Sequence, residues 1–165
     1  MVSPVNEELT ESYLREVLAD FEVCARRALE RMLRAPTRCP RDFRYLAEAP
    51  TIPLTCGIRT GNGLFEAALF LEVDRRDYAG LLPGVKIDGE ILDTIGEIAN
   101  VMAGSFLGQR SFKKHFGPML PTPPVFSFQG SSLGKASCIQ GVIVIGSAKL
   151  SAGFMVHSIQ RDELI

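Results

Sequence analysis

Apolar residues recur along the chain with the spacing of two long amphipathic helices. Across residues 6–34 they lie three and four positions apart and form a single stripe, and Pro36 marks its end. A second helix is predicted over residues 89–113, with Asp88 as its N-cap. Prolines at positions 118, 121, 123 and 124 prevent this helix from continuing.

Five shorter runs have the composition of β-strands. The first two, residues 52–60 and 64–73, flank Gly61, Asn62 and Gly63, and Asn-Gly favours a hairpin because it readily adopts positive backbone φ. Pro53 indicates that the first strand starts there or lies at a sheet edge. Three more strands are predicted over residues 125–129, 136–147 and 150–159. The continuous apolar run 142–145 is typical of a central strand covered on both faces.

The order helix, hairpin, helix and three strands predicts an α+β fold, with one largely antiparallel β-sheet packed against long α-helices. The 165 residues, 46% of them hydrophobic, suffice for a single domain over residues 1–165. No apolar run approaches the roughly 18 residues of a membrane span, and the first residues lack the pattern of a signal peptide. A soluble cytoplasmic protein with no membrane partner is therefore expected.

The charge balance bears on the kind of partner. The formal net charge is −1, which excludes a chain-wide polycation for nucleic acid. Seven arginines nevertheless crowd residues 26–44, opposed there only by Glu30 and Asp42. These are Arg26, Arg27, Arg31, Arg34, Arg38, Arg41 and Arg44. The pattern fits either the solvated face of a helix and its following loop or a site for an anionic partner.

The cysteines do not form a metal-binding pattern. They are far apart in the chain, at positions 24, 39, 56 and 138, and only His115 and His157 accompany them. A structural zinc site requires closer ligand spacing. The sequence therefore predicts reduced thiols and no metal bound by this chain.

Polar side chains form one row on the second predicted helix. Asp93, Glu97, Asn100 and Gly104 follow one another at steps of four, three and four, opposite the apolar stripe. The dipole favours acidic residues near a helix start, so Asp93 fits either an ordinary solvated face or a functional row, whereas asparagine is a poor residue in the middle of a helix. Gly104, with Gly108, is expected to permit close packing of another element rather than substrate clearance.

The spacing of Asp93, Glu97, Asn100 and Pro123 resembles the signature of the CheC/CheX/FliY phosphatases of bacterial chemotaxis. The chain looks closest to CheX, because Glu97 and Asn100 form its single acid–amide pair. Both Pro121 and Pro123 remain candidates for the family proline, and the spacing favours Pro123. The link over residues 74–88 looks short for the helix that the family has there.

The resemblance implies a hydrolase of two-component signalling, which removes the aspartyl phosphate from a CheY-type response-regulator receiver. Asn100 would position the attacking water and Glu97 would dock against the receiver lysine, with Asp93 and Pro123 as supporting residues. No cofactor of its own is implied, because Mg²⁺ is expected in the receiver. The resemblance also implies a homodimer joined through sheet edges. The alternative is a non-catalytic module that binds receivers or serves a flagellar switch.

Overall fold

Seven β-strands form one antiparallel sheet in this computed structural model, which describes residues 4–159, with side chains over residues 7–130 and 133–159. The helices are α1 (Pro4–Leu33), α2 (Tyr78–Leu81), α3 (Asp88–Leu107) and α4 (Arg110–Phe116). The strands are β1 (Thr37–Arg38), β2 (Arg44–Leu46), β3 (Pro53–Gly61), β4 (Phe65–Glu72), β5 (Val125–Gln129), β6 (Ser137–Ile145) and β7 (Ala148–Ser158). The predicted α+β fold is confirmed.

The sheet has the order β1, β6, β7, β4, β3, β5, and β2 also pairs with β6 at the same edge as β1. The prediction missed β1 and β2, which lie in the arginine-bearing connector after α1. Strands of two and three residues are too short to show an alternating pattern. Pro53 begins β3, and this strand lies between β4 and β5 rather than at an edge.

The helices cover one face of the sheet. Both α1 and α3 pack there around an aromatic core, in which the ring centroids of Phe21 and Phe106 are 4.9 Å apart and those of Phe106 and Phe154 are 5.2 Å apart. A smaller apolar cluster around Phe70 and Phe128 lies on the other face. Val142, 41% exposed, lies outside both clusters, so the prediction that residues 142–145 are covered on both faces is wrong.

The predicted hairpin of β3 and β4 is confirmed, but its turn uses different chemistry. Neither Asn62 nor Gly63 has positive φ. Instead the Asn62 side-chain oxygen accepts hydrogen bonds from the backbone N–H groups of Leu64 and Phe65, at 2.8 and 3.0 Å. Its amide nitrogen donates to the Phe116 carbonyl at 2.8 Å. The asparagine therefore closes the turn and ties it to the end of α4.

The second predicted helix is divided in two. Backbone at Gln109 is extended, with φ −67° and ψ 142°, so α3 ends at Leu107 and α4 starts in a new direction. The break turns Phe112 and Phe116 into the core, where both are buried. Asp88 is the first residue of α3 and not its cap, a position that Ile87 takes. The link before α3 does contain a helix, α2, although it is only four residues long.

Within residues 4–159, no helix combines the length and the apolar character that crossing a membrane requires.

Candidate functional site

Helix α3 presents one polar row away from the core. Asp93, Glu97, Asn100 and Gly104 are all exposed. The core-facing residues of the same helix are buried, as the spacing predicts: Ile91, Ile95, Ile98, Met102 and Phe106. Two carboxylates and one carboxamide therefore line a surface that a large partner can reach.

The three polar side chains of this row are unengaged. Among the residues whose side chains the structure describes, none hydrogen-bonds or forms an ion pair with Asp93, Glu97 or Asn100. Elsewhere on the same helix, polar groups are used locally, since the Thr94 hydroxyl donates to the Glu90 carbonyl at 3.1 Å. The Asn100 amide thus keeps both its donor and its acceptor groups for an external ligand.

The chain that follows α4 is held alongside β3. The Thr60 hydroxyl donates to the Leu120 carbonyl at 2.8 Å, and both the N–H and the hydroxyl of Thr122 donate to the Arg59 carbonyl, at 3.0 and 2.8 Å. These bonds fix the segment directly before Pro123, which is exposed. The candidate proline therefore follows a firmly anchored stretch and not a free loop.

Gly96 brings this segment against α3, a contact that the sequence analysis missed. A Cβ atom added at Gly96 would lie 3.0 Å from Cζ of Phe126 and 3.4 Å from Cγ of Pro124. The absence of a side chain at Gly96 therefore lets Pro124 and Phe126 lie against α3 at the position directly before Glu97. The sequence does contain a signal for this contact. A glycine lies inside the predicted helix, and a proline-rich segment with an aromatic residue follows later in the chain.

A change of backbone conformation in β5 directs Phe126 toward α3. Ser127 has φ 51°, which is rare for a residue other than glycine. The pairing of β3 with β5 skips this residue, joining Leu54 to Phe128 and Cys56 to Phe126. As a result, Phe126 meets α3, whereas Phe128 packs in the cluster on the other face of the sheet. Phe126 remains 38% exposed beside the polar row.

Gly104 faces open space. A Cβ atom there would have no neighbour within 4 Å, so the expectation that Gly104 permits close packing of another element is wrong within this chain. We expect Gly104→Ala to raise the free energy of unfolding by about 1 kcal/mol, because alanine is the better helix former and nothing obstructs its methyl group. Urea denaturation measures the difference.

Gly153→Ala is the control for Gly104→Ala. A Cβ atom at Gly153 would lie 2.2 Å from the Phe70 ring, so this variant should be destabilised. A loss of stability in Gly104→Ala would contradict the open surface.

The cysteine thiols are poor candidates for nucleophiles. All four are unpaired, and burial raises the pKa of the Cys56 thiol to about 11 and that of Cys138 to about 12. Burial also raises the pKa of Cys24 and of Cys39. Because the thiolate is the reactive form, these groups are largely inert at neutral pH.

A cleft elsewhere does not include the polar row. It has a volume of about 660 Å³ and lies where the start of α1 meets the ends of β4 and β7. Glu7, Glu11, Glu66 and His157 are among its lining residues, and the His157 ring nitrogen lies 3.4 Å from a Glu66 carboxylate oxygen. The row on α3 is therefore a surface feature, whose shape suits a macromolecule better than a small substrate.

Comparison with known proteins identifies the fold. No protein-family model matches the sequence, and no curated protein matches it. Among solved structures, a putative chemotaxis protein from Desulfovibrio vulgaris Hildenborough aligns over 86% of this chain and 97% of its own, with TM-score 0.65 and 12% identity. The chemotaxis protein CheX from Vibrio vulnificus aligns over 86% and 99%, with TM-score 0.61 and 13% identity.

A third similar structure is the CheX–CheY–BeF3–Mg²⁺ complex from Borrelia burgdorferi. It aligns over 83% of this chain and 94% of the matched chain, with TM-score 0.55 and 15% identity. Identities this low establish the architecture and leave the activity open. The chain has the fold of the CheC/CheX/FliY chemotaxis proteins, as its motif spacing predicts.

Proposed function

We propose that this protein accelerates hydrolysis of the aspartyl phosphate on a CheY-type receiver domain. The observation that carries the proposal is the exposed, unengaged pair of Glu97 and Asn100 on α3. Its setting supports the proposal, since the fold is shared with a CheX that has been crystallised with CheY, BeF3 and Mg²⁺. The resemblance in the spacing of Asp93, Glu97, Asn100 and Pro123 points to the same activity.

Asn100 supplies what a receiver lacks. In a phosphorylated receiver, Mg²⁺ and a lysine already stabilise the phosphoryl group, but no residue holds the attacking water. Phosphoryl transfer depends chiefly on positioning and electrostatics. A carboxamide accepts a hydrogen bond from the water through its oxygen and donates one to a phosphoryl oxygen through its nitrogen. An aspartate at this position would repel the phosphoryl charge.

Glu97 acts in docking. Residues three apart on a helix have Cβ atoms about 5–6 Å apart, so Glu97 and Asn100 can engage neighbouring groups of one partner. The Glu97 carboxylate pairs with the receiver lysine in a charge-assisted contact, which fixes the orientation of the water-positioning amide. Asp93 extends the acidic row, and Pro123 is proposed as a supporting residue at the end of the anchored segment beside β3. The proposal requires no covalent intermediate and no metal held by this chain.

The proposed function is tested by following the loss of phosphate from a phosphorylated CheY-type receiver, with and without this protein, in the presence of Mg²⁺. Faster loss at substoichiometric protein supports a catalytic role. Binding of the receiver without any acceleration would favour the alternative of a non-catalytic receiver-binding or flagellar-switch-like module. Failure both to bind and to accelerate, across the receivers of the source organism, would reject both functions.

We also propose a homodimer, and the two sheet edges differ in their suitability for it. β1 and β2 are short and carry Arg38 and Arg44, features that hinder strand pairing. At the other edge, β5 is five residues long, and its Val125 is 47% exposed. Pairing of β5 across a two-fold axis extends the sheet in its own plane and leaves the outer face of α3 accessible.

Light scattering over a dilution series should therefore give about twice the 18.1 kDa chain mass. Val125→Lys should dissociate the dimer, because it replaces an exposed apolar residue of the pairing strand with a charged one. Leu64→Lys is the matched control, since Leu64 is also about half exposed, at 51%, and lies outside β5. A mass of 18.1 kDa at all working concentrations would contradict the dimer.

A further inference from the structure

Part of the sheet face opposite the helices is uncovered and basic. Arg38 pairs with Val144, and Val144 pairs with Lys149, so these three side chains project from the same face. Arg44 pairs with Gln140, an even-numbered residue of β6 that shares this face. Val142 lies between them on β6. We call Arg38, Arg44, Lys149, Val142 and Val144 the basic sheet surface.

The face assignment follows from the alternation along β6. Ile139 and Ile143 are fully buried in the core beneath the helices. Gln140 and Val142, which alternate with them, therefore point away from α1 and α3. Val142 is 41% exposed, and Arg38, Arg44 and Lys149 are exposed as well. The apolar cluster on this face ends before these positions, so a solvent-facing patch remains.

The two arginines are held apart along the edge. The partners of Arg38 and Arg44 on β6 are four residues apart, which corresponds to roughly 13 Å along a strand. A bonded network fixes β1, since the Arg26 guanidinium donates to the Thr37 hydroxyl and carbonyl at 3.0 and 2.9 Å. The Thr37 N–H donates to the Glu30 carboxylate at 2.9 Å. Arg38 thus projects from a rigid support.

One carboxylate lies beside this surface, since Asp77 accepts the backbone N–H of Lys149 at 3.4 Å. Within the described part of the chain, however, no ion pair involves Arg38, Arg44 or Lys149. Glu72 belongs to the same face of the sheet, but its carboxylate accepts the Thr55 N–H at 2.7 Å and is turned toward β3. The guanidinium groups therefore keep their bidentate donor sites for an external carboxylate.

Charge is also segregated along the sequence. Residues 26–44 contain seven arginines and two acidic residues, a net charge of +5. The remaining residues contain eleven basic and seventeen acidic residues, a net charge of −6. The dipole at the end of α1 accounts for Arg31 and Arg34. It does not account for Arg38 and Arg44. These arginines are also not needed to keep another sheet from pairing at this edge, because β1 and β2 are too short to support such pairing.

We propose that the basic sheet surface docks an acidic amphipathic segment of another protein. Two carboxylates of such a segment pair with Arg38 and Arg44, and an apolar side chain between them packs on Val142. Charge complementarity selects this partner, because the surface offers a small apolar centre inside a basic border. The site is separate from Glu97 and Asn100 and does not depend on the proposed phosphatase activity.

Other polyanions fit this surface poorly. Binding of single-stranded nucleic acid uses exposed aromatic rings that stack on bases, and the aromatic residues of this edge are not available for it. Phe43 is buried against Gly141. Tyr45 is partly buried, and the Arg15 guanidinium lies 4.8 Å from its ring centre. The net charge of −6 outside residues 26–44 repels an extended nucleic acid. An anionic membrane would require a larger exposed apolar area than Val142 provides.

Fluorescence anisotropy with three labelled 12-residue peptides tests the proposal on the full chain. One peptide repeats Glu-Ser-Leu-Ser, which in extended form presents two glutamates with a leucine between them on one face, one repeats Glu-Ser-Ser-Ser, and one repeats Lys-Ser-Leu-Ser. The glutamate–leucine peptide should bind most tightly, and its affinity should fall as salt is raised. Arg38→Glu combined with Arg44→Glu should weaken it at least about tenfold, because two attractive pairs become repulsive.

Arg110→Glu combined with Lys114→Glu is the matched control, with the same change of charge at exposed positions of α4. The control should retain peptide affinity, and both double variants should retain receiver dephosphorylation. Equal affinity of the two double variants, or no binding of the glutamate–leucine peptide to the native chain, would overturn the proposal. So would tighter binding of a 12-nucleotide single-stranded DNA or of phosphatidylserine vesicles. Self-association that only the Arg38/Arg44 variant abolishes would instead assign the surface to a second copy.

Discussion

Asn100→Ala should abolish the acceleration of receiver dephosphorylation while leaving the fold intact. Its side chain is exposed and makes no hydrogen bond within the described residues, so its removal disturbs neither the core nor α3. The amide is proposed to hold the attacking water, and loss of one positioned hydrogen-bonding group costs about 10²–10³-fold in rate. Single-turnover loss of phosphate, at protein concentrations that saturate the receiver, measures this effect without interference from docking.

Two further variants sharpen the test of Asn100. Asn100→Asp keeps the shape of the side chain but adds a negative charge facing the phosphoryl group, and should lose the acceleration as well. Gln109→Ala is the matched control, since it removes another carboxamide, which donates to the Ser105 carbonyl at 3.3 Å. This control should keep the native rate. A native rate in folded Asn100→Ala would eliminate the proposed role of the amide.

Local geometry explains which parts of the fold the sequence predicts. The stripe from Ile91 to Phe106 and the row from Asp93 to Gly104 depend only on helical spacing, and both are found where expected. The end of α3 was missed, because helix-favouring residues continue past Gly108. The break is set by tertiary packing, since Phe112 and Phe116 reach the core only if the chain changes direction there.

The surroundings of the candidate site depend on non-local contacts, which the sequence pattern does not reveal. Phe126 reaches Gly96 because Ser127, next to it, has positive φ at a point where the pairing between β3 and β5 is interrupted. Neither the dihedral nor the register has a signature within five residues of sequence. The basic sheet surface is hidden for the same reason, since β1 and β2 become strands only by pairing with β6.

Glu97→Lys should weaken receiver docking more than Glu97→Ala does, and both should slow hydrolysis below saturation. The proposed partner is a receiver lysine, so alanine removes an attraction and lysine sets two positive charges together. An exposed pair contributes up to about 1 kcal/mol, which corresponds to about fivefold in affinity for the alanine variant. Affinity is measured on a receiver activated with BeF3 and Mg²⁺, so that binding is separated from turnover.

Glu16→Lys is the matched control for Glu97, because Glu16 is an exposed acid that lies on α1, outside the polar row of α3. It gives the same change of net charge without touching the proposed contact. If Glu97→Lys and Glu16→Lys weakened docking equally, the effect would be long-range attraction and not a specific pair. Raising the salt concentration distinguishes the two cases, because screening removes long-range attraction between exposed charges first. Unchanged affinity and turnover in both Glu97 variants would leave Glu97 as an ordinary solvated residue, and Asn100 would have to orient the receiver without it.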